Sequence, residues 1–184
     1  MPRVLFVTGS SAGLGQALVK EILNNGDYVI ATARKPKGLM FAKSTSTNFF
    51  AVQLDLLDSN SVLTTYLTGV AKFGRIDMVV NNGGYVLSGP FEYLTDEDIQ
   101  RQMDVNFTGA LVSTRTAIKV MREQNPPGGI IQQIISIGRR IRMPWMCMYS
   151  ASKFALEGFT EGVAQVMDPK WGIKFTCVEP GGFR

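Results

Sequence analysis

The amino-acid sequence predicts a three-layer α/β fold, in which helices cover both faces of a doubly wound parallel sheet. Short apolar runs rich in β-branched residues alternate with longer segments whose apolar residues recur at helical spacing. The strand-like runs are continuously apolar, which is typical of parallel strands buried on both faces. A glycine-rich turn joins the first predicted strand to the first predicted helix. At 184 residues the chain is expected to form one domain, residues 1–184.

The first half of the chain predicts three strands and two helices. The strands are the apolar runs at residues 4–7, 28–34 and 49–54. Apolar residues at helical spacing predict a first helix that begins near Leu14 and ends near Asn25 and Gly26. A second helix is predicted from Ser59 to Lys72, after the third strand.

The second half predicts three more strands and two more helices. The strands are residues 76–80, 130–135 and 173–178. A capping box at 95–98 begins a long helix that ends near Gln124, before Pro-Pro-Gly-Gly. Asn106 and Gly109 are poor helix formers inside it, so a kink or distorted turn is expected there. The last helix runs from Tyr149 to about residue 166.

The composition excludes several kinds of site. The chain has no histidine, which excludes Ser-His-Asp catalysis and histidine-ligated metal sites, and no metal is expected. Cys147 and Cys177 make no disulfide framework, so a reducing, cytoplasmic location is expected. The net charge of +4 is too mild to indicate nucleic acid, and no apolar run approaches the length of a membrane span. Neither nucleic acid nor a membrane is an expected partner.

The turn at residues 8–15 has the composition of a phosphate-binding loop. Its sequence, T-G-S-S-A-G-L-G, lies between a predicted strand and a predicted helix. Glycines let the backbone approach a phosphate closely, and the N-terminus of a helix offers free N–H groups to a pyrophosphate. A plain connecting turn is the alternative. The cofactor contacts predicted here are Gly9, Ser10, Ser11, Gly13, Leu14 and Gly15.

The end of the second predicted strand indicates which dinucleotide binds. In NAD sites an acidic residue near this point usually binds the ribose 2′-hydroxyl, whereas this chain has Thr32 and Arg34, with Lys35 and Lys37 beyond. A guanidinium can pair with a 2′-phosphate through two hydrogen bonds. We therefore expect NADP(H) as the cofactor, with Arg34 on the phosphate. The alternative is a solvated basic loop.

Candidate cofactor contacts also follow the third and fourth predicted strands. Asp55 and Leu56 could bracket an adenine ring, although a simple strand end explains them nearly as well. Asn82, Gly83 and Gly84 form a loop that lets the backbone approach a ligand closely. Ligands of parallel α/β sheets bind outside the carboxyl ends of the strands, where all five residues lie.

Tyr149 and Lys153 are a candidate acid–base pair. They are four residues apart in a predicted helix, so their side chains lie on one face. A nearby ammonium favours the phenolate form of a tyrosine, and the pair could then transfer a proton at a carbonyl or alcohol oxygen. With five tyrosines in the chain, a chance Tyr-x-x-x-Lys is not rare. The pair is therefore evidence for catalysis only together with the cofactor site that is predicted upstream.

These motifs together resemble the short-chain dehydrogenase/reductase family over essentially the whole chain. They are T-G-S-S-A-G-L-G at 8–15, N-N-G-G at 81–84, V-N-F-T-G around Asn106, Ser136, Y-S-A-S-K at 149–153 and P-G at 180–181. The resemblance implies a Rossmann-type sheet and adds Pro180 and Gly181 to the expected cofactor contacts. It also implies a catalytic role for Asn106, Ser136, Tyr149 and Lys153.

The resemblance assigns each of these four residues a function. Tyr149 would pass the proton. Lys153 would bind the nicotinamide ribose, as Tyr149 also would, and would favour the ionised tyrosine. Ser136 would orient the substrate carbonyl, and Asn106 would hold a water that relays protons to Lys153.

The chain departs from the family pattern at three points. Gly83 replaces the usual alanine of N-N-A-G and is expected to loosen that turn slightly. Arg139 stands where a glycine is common and would strain the loop beside Ser136 if that position needs a positive φ. Family members continue for some tens of residues past Pro180-Gly181. The fold is therefore expected to lack the family's usual last helix and strand.

The expected activity is the NADP(H)-dependent interconversion of a carbonyl and an alcohol. Its small-molecule substrate is expected to be hydrophobic, because a loop rich in methionine and arginine would line the substrate side. The members of that loop are Arg139, Arg140, Arg142, Met143, Trp145, Met146 and Met148. Solvated arginines and core methionines are the alternative. Alternatives for the function are a non-redox isomerase or cyclase, or a non-catalytic nucleotide-binding protein. The complete protein is expected to be a homo-oligomer, either a dimer or a tetramer.

Overall fold

Six strands form one parallel sheet in the computed structural model, which describes residues 1–137 and 143–182. The strands are β1 Val4–Val7, β2 Tyr28–Ala33, β3 Phe49–Gln53, β4 Met78–Asn81, β5 Gly129–Ile134 and β6 Ile173–Val178. Their order is β3-β2-β1-β4-β5-β6, and every neighbouring pair is parallel. The predicted doubly wound parallel sheet is confirmed.

Helices cover both faces of the sheet. They are α1 Gly13–Asn24, α2 Ser59–Phe73, α3 Asp96–Met103, α4 Gly109–Glu123 and α5 Cys147–Gln165. Successive side chains of β1 point to opposite faces. Phe6 stacks on Tyr66 of α2, with 4.1 Å between ring centres, whereas Val7 packs in the cluster that contains Val19 of α1. Two short 3₁₀ helices, Phe91–Tyr93 and Pro169–Trp171, were not predicted.

The long helix predicted over 95–124 is interrupted at Asn106. Thr95 caps α3, because its Oγ1 accepts a hydrogen bond of 3.1 Å from the Asp98 N–H. The segment Asp104–Thr108 forms a π-helical turn, and α4 continues from Gly109. The expected distorted turn is thus confirmed. Single π-helical turns inside α-helices are frequent at functional sites.

The strand order reverses between β1 and β4, with β2 and β3 on one side of this pair and β5 and β6 on the other. β1 and β4 are neighbours although β2 and β3 lie between them in the sequence, and ligands of such sheets bind in the crevice at this switch point. Within residues 1–137 and 143–182, β6 is an edge strand and no strand follows it. In the same ranges no helix combines the length and the apolar character needed to cross a membrane.

Candidate functional site

A cavity of about 770 Å³ lies along the carboxyl ends of the central strands. Most of the predicted site residues line it: Gly9, Ser11, Gly13, Leu14, Arg34, Asp55, Leu56, Asn82, Gly83, Gly84, Ser136, Tyr149, Lys153, Pro180 and Gly181. The predicted residues that do not line it are Ser10, Gly15 and Asn106, and each of these contacts residues that do. Most of the predicted residues thus lie on one cavity, and their binding of a cofactor stays a prediction.

Thr8 ties the glycine turn to the loop after β4. Its Oγ1 accepts hydrogen bonds from the N–H groups of Asn82, at 2.9 Å, and Gly83, at 2.8 Å. Asn82 Nδ2 in turn donates to the carbonyl oxygens of Thr8, at 2.9 Å, and Gly9, at 3.2 Å. Thr8 is almost fully buried, so these bonds form away from water. The two loops consequently act as one rigid wall.

The N-terminus of α1 fits a phosphate group. Ala12 precedes the helix and gives no side-chain cap, whereas Asp58 caps α2 and Thr95 caps α3. Gly13 has a φ of +54°, and a Cβ built on it would meet no described atom within 4 Å. Gly13 and Leu14 line the cavity, so this helix N-terminus opens onto it, as anion binding at a helix N-terminus requires.

Gly9 and Gly15 make the turn compact. A Cβ on Gly15 would overlap the carbonyl oxygen of Gly9 and would lie 2.6 Å from Asn82 Nδ2. Gly9 has a φ of +70°, and a Cβ there would lie 2.9 Å from the Cα of Gly83. Neither position accepts a larger residue unless backbone moves. Gly15 thus supports the turn from behind the cavity.

Ser10 faces the protein interior, unlike its neighbour Ser11. Its Oγ donates to the Val7 carbonyl at 3.0 Å and accepts from the Thr32 N–H at 3.2 Å, and the residue is 0% exposed. These bonds join the glycine turn to β2. The predicted cofactor contact is therefore not supported for the Ser10 side chain, because a hydroxyl employed in the framework is not available to a ligand.

Side chains at the ends of β2 and β3 border the cavity. Arg34 is exposed and forms no ion pair with a described residue. The Asp55 Oδ1 accepts a 3.0 Å hydrogen bond from the Leu57 N–H, which holds the carboxylate in its turn. Leu56 reaches further in, since a Cβ on Gly83 would lie 2.8 Å from Leu56 Cδ1. Leu56 therefore occupies the space that an alanine side chain at residue 83 would need, and the loosening expected there stays a prediction.

Tyr149 and Lys153 both face the cavity from the first turns of α5. The Lys153 Nζ lies 5.7 Å from the centre of the Tyr149 ring. It donates a 2.7 Å hydrogen bond to the carbonyl oxygen of Ile134, at the end of β5, and the residue is only 5% exposed. Burial lowers the pKa of Lys153 to about 8. The ammonium form therefore still predominates at neutral pH.

Ser136 and Pro180 border the cavity where β5 and β6 end. The main chain on either side of Ser136 is fixed, because the Ile135 N–H donates to the Val178 carbonyl at 2.9 Å and the Ile137 N–H donates to the Pro180 carbonyl at 3.1 Å. Ser136 itself is buried to 7% exposure. Ser136 is thus held at the edge of the same cavity as the candidate acid–base pair.

The Asn106 side chain joins three segments behind the cavity. Its Oδ1 accepts from the Tyr85 N–H at 3.0 Å, and its Nδ2 donates to the Tyr85 carbonyl at 2.9 Å and to Ser152 Oγ at 3.3 Å. Ser152 Oγ then donates to the Tyr149 carbonyl at 2.6 Å. Both amide hydrogens of Asn106 are therefore used, and its free bonding capacity is one lone pair on Oδ1.

One wall of the cavity was not identified from the sequence. It consists of Tyr85, Val86, Arg101 and Val105. Arg101 and Val105 are four residues apart and precede Asn106, so their helical spacing was a usable signal for a shared face. The other unpredicted lining residues are neighbours of predicted ones: Thr8, Ala12, Thr32, Ala33, Leu54, Leu57, Ile134 and Ile135.

Gln102 holds this wall in place. It is 0% exposed, its Oε1 accepts a 2.7 Å hydrogen bond from the Leu87 N–H, and its Nε2 donates to the Tyr85 carbonyl at 3.0 Å. The segment after Gly84 is thus fixed by two buried amides, those of Gln102 and Asn106. Sequence analysis missed Gln102, because nothing in a single polar helical residue indicates burial.

The loop expected to line the substrate side lies partly outside the described residues. Arg139, Arg140 and Arg142 fall there, and so does the strain predicted at Arg139. The described members, Met143, Trp145, Met146 and Met148, are not among the residues that line the cavity. Trp145 is 63% exposed, with a φ of +65°. These four residues thus do not line the cavity, and their position beside the substrate stays a prediction.

Comparisons with known proteins agree on one family. The sequence model of the family described as "short chain dehydrogenase" matches residues 3–184. Oxidoreductase BOA17 of Botryotinia fuckeliana is 41% identical over all of this chain and 67% of its own length. The 3-ketodihydrosphingosine reductase of Bacteroides thetaiotaomicron is 33% identical over 99% of this chain and 64% of its own. The chain thus spans about two thirds of the length of these relatives.

Solved structures show the same fold. A short-chain dehydrogenase from Streptomyces avermitilis superposes with a TM-score of 0.89 at 33% identity, covering 100% of this chain and 67% of that one. A structure described as "ElxO with NADP Bound" superposes with a TM-score of 0.87 at 31% identity, covering 98% of this chain and 74% of that one.

Proposed function

The chain belongs to the short-chain dehydrogenase family, and from this premise we propose that it is an NADP(H)-dependent oxidoreductase that interconverts a carbonyl compound and an alcohol. Relatives named as an oxidoreductase and as a reductase of a keto compound support this activity. The substrate is a small molecule. A homo-oligomeric state and a cytoplasmic location remain predictions.

The observation that carries the proposal is that Tyr149 and Lys153 share one cavity with the glycine turn. A phosphate-binding turn and a proton donor on the same cavity are what a hydride transfer coupled to proton transfer requires. The Lys153 Nζ lies 5.7 Å from the ring centre of Tyr149, so a cation stands beside the candidate proton donor.

The cavity offers each part of NADP(H) a matching group. The free N–H groups at the start of α1 would hold the pyrophosphate, and Arg34 would hold the 2′-phosphate. Asp55 and Leu56 would bracket the adenine, and the 82–84 loop and Pro180-Gly181 would contact the nicotinamide end, since all of them line the cavity. When bound, the cofactor supplies or accepts the hydride. The similar structure with NADP bound supports this choice of cofactor.

The residues of the chain would handle the proton. In reduction, the Tyr149 hydroxyl would give its proton to the carbonyl oxygen, and in oxidation it would take the alcohol proton. The Ser136 hydroxyl, fixed between the ends of β5 and β6, would orient the same oxygen. Lys153 would hold its ammonium close to the phenol and also bind the nicotinamide ribose.

Asn106 would contribute through its remaining lone pair or its main chain. A Cβ on Gly84 would lie 3.0 Å from Asn106 Oδ1 and 3.8 Å from Lys153 Nζ. Because residue 84 has no side chain, we expect room for one water between these two atoms. A water there could pass protons to Lys153, which is the proposed relay.

A panel of ketones and aldehydes assayed with NADPH tests the proposal. Oxidation of NADPH that depends on the carbonyl compound, and fails in Tyr149→Phe, is the expected result. Conversion of a compound without any change in NADPH absorbance would instead indicate an isomerase or cyclase. Tight NADPH binding with no conversion of any compound would indicate a nucleotide-binding protein.

A further inference from the structure

The described lining of the cavity carries an excess of positive charge. Its cations are Arg34, Arg101 and Lys153, and Asp55 is its one carboxylate among the described residues. Such an excess attracts anionic ligands. The proposed function uses Arg34 for the 2′-phosphate and Lys153 beside the phenol, which leaves Arg101 without a role.

Arg101 lies on the side of the cavity where the proton would be transferred. It is in α3, which follows β4, whereas Arg34 follows β2, and β1 separates those two strands in the sheet. Arg101 and Tyr85 line the same cavity, and Gln102, the residue after Arg101, donates a hydrogen bond to the Tyr85 carbonyl. Tyr85 comes directly after Gly84, whose Cβ position is 3.8 Å from Lys153 Nζ. Arg101 therefore belongs to the substrate part of the cavity.

Two aspartates near Arg101 in the sequence, Asp98 and Asp104, are bonded to other side chains. Asp98 Oδ2 accepts a 3.0 Å hydrogen bond from Thr95 Oγ1, and Asp104 Oδ1 accepts a 2.8 Å hydrogen bond from Gln100 Nε2. In the described part of the chain, no carboxylate lies within ion-pair distance of Arg101. Its guanidinium thus retains donors for a ligand.

Tyr85 supplies a second, precisely held group beside Arg101. The Gln102 and Asn106 amides hydrogen-bond to the main chain of Tyr85, so the backbone that carries the ring is held in place. Burial raises the pKa of the Tyr85 phenol, and so does Asp98, while Arg101 lowers it. The net direction is upward, so the phenol is protonated at neutral pH and can donate a hydrogen bond. Val86 and Val105 give the same wall an apolar surface.

We propose that Arg101, with Tyr85 beside it, binds a carboxylate of the substrate. The carbonyl or alcohol compound on which the protein acts would then carry an acidic group next to an apolar body. This inference rests on the proposed function for the identity of the bound molecule as a substrate. The preference of the cavity for an acid depends only on the residues of this wall, Tyr85, Val86, Arg101 and Val105. Arg101 is thus a specificity-determining residue, and a guanidinium–carboxylate pair is its physical basis.

A binding experiment tests this without requiring turnover. The full-length protein, saturated with NADP⁺, is titrated by calorimetry at neutral pH with benzoate, phenylacetate and phenylbutyrate, and with the matching amides. Bound NADP⁺ would occupy the part of the cavity beside Arg34. Tighter binding of an acid than of its amide therefore reports on the remainder of the cavity. We expect at least one acid to bind about tenfold or more tightly than its amide, as a charge-assisted pair would give.

Three variants test whether Arg101 causes the preference for acids over amides. Arg101→Gln should abolish the preference for the acid, and Arg101→Lys should keep part of it. Arg115→Gln changes an exposed arginine of α4 outside the cavity and should leave the preference intact. Acids that bind no more tightly than amides would overturn the proposal. A preference that survives Arg101→Gln would also overturn it and would point to Lys153.

Different observations would show that the proposed function is wrong. If the protein does not bind NADP⁺, or oxidises NADPH with no carbonyl compound, the proposed function is wrong. The same titrations on the protein without nucleotide would then still compare acid with amide at Arg101.

Discussion

The Lys153 Nζ lies 5.7 Å from the centre of the Tyr149 ring, and a 2.7 Å hydrogen bond to the Ile134 carbonyl holds it there. A lysine side chain loses roughly 1.5–2 kcal/mol of rotamer freedom when it is fixed. Here that loss accompanies folding, since the partner is the main chain at the end of β5. The position of the cation relative to the phenol is therefore set before any ligand binds.

Buried Lys153 should make stability depend on pH. Its folded pKa of about 8 lies below the unfolded value of 10.5. Between these values the unfolded chain binds the extra proton, so folding is favoured as pH rises. Relative to Lys153→Met, the wild type should gain about 1.4 kcal/mol of unfolding free energy per pH unit above pH 8. Urea unfolding of both proteins measures this, with Lys20→Met on the exposed face of α1 as the control. A difference that stays constant with pH would contradict it.

Arg34 should decide the choice between the two dinucleotides. The wild type should bind NADPH more tightly than NADH by about 1–3 kcal/mol, because the guanidinium forms a charge-assisted pair with the 2′-phosphate. Arg34→Asp should reverse the preference. Fluorescence titration with each cofactor measures it. Lys37→Asp makes the same change of charge at a residue that does not line the cavity, and should retain the preference for NADPH. Equal affinities in the wild type would refute the assignment.

Gly15→Ala should damage both folding and cofactor binding. The added Cβ would overlap the Gly9 carbonyl oxygen and crowd Asn82 Nδ2, so the turn must shift. We expect a loss of stability of about 1–3 kcal/mol, as overpacking usually costs, and weaker NADPH binding. Gly158→Ala is the matched control, because a Cβ there meets no described atom within 4 Å and alanine favours a helix by about 0.5–1 kcal/mol. Thermal unfolding should thus move in opposite directions for the two variants.

Gln102→Leu should destabilise the protein, because it leaves one backbone N–H group without a hydrogen-bond acceptor. The Leu87 N–H would lose its acceptor, whereas the Tyr85 carbonyl would keep its hydrogen bond from Asn106. An unsatisfied buried group costs about 1–3 kcal/mol. Gln100→Leu, on the exposed side of the same helix, should cost little. If chemical denaturation gives equal midpoints for the two variants, Gln102 does not clamp the wall.

Local sequence signals were sufficient for most of the fold. The strands are continuous apolar runs, and Asn106 and Gly109 marked the π-helical turn because they are poor helix formers. Long-range packing decided the remainder. The inward turn of Ser10 depends on Val7 and Thr32, and the wall formed by Tyr85 and Arg101 depends on where α3 lies against the loop after β4. A motif names residue types, but it does not state which way a side chain faces.

The most direct test of the account compares Tyr149→Phe with the wild type for NADPH affinity and for turnover of a reactive carbonyl compound. The substitution keeps the ring beside Lys153 and removes the proton that Tyr149 is proposed to transfer. Turnover should fall by about 10²–10⁴, the usual contribution of general acid–base catalysis, while NADPH affinity stays within about twofold. Near-normal turnover by Tyr149→Phe would contradict the central claim that Tyr149 is the proton donor.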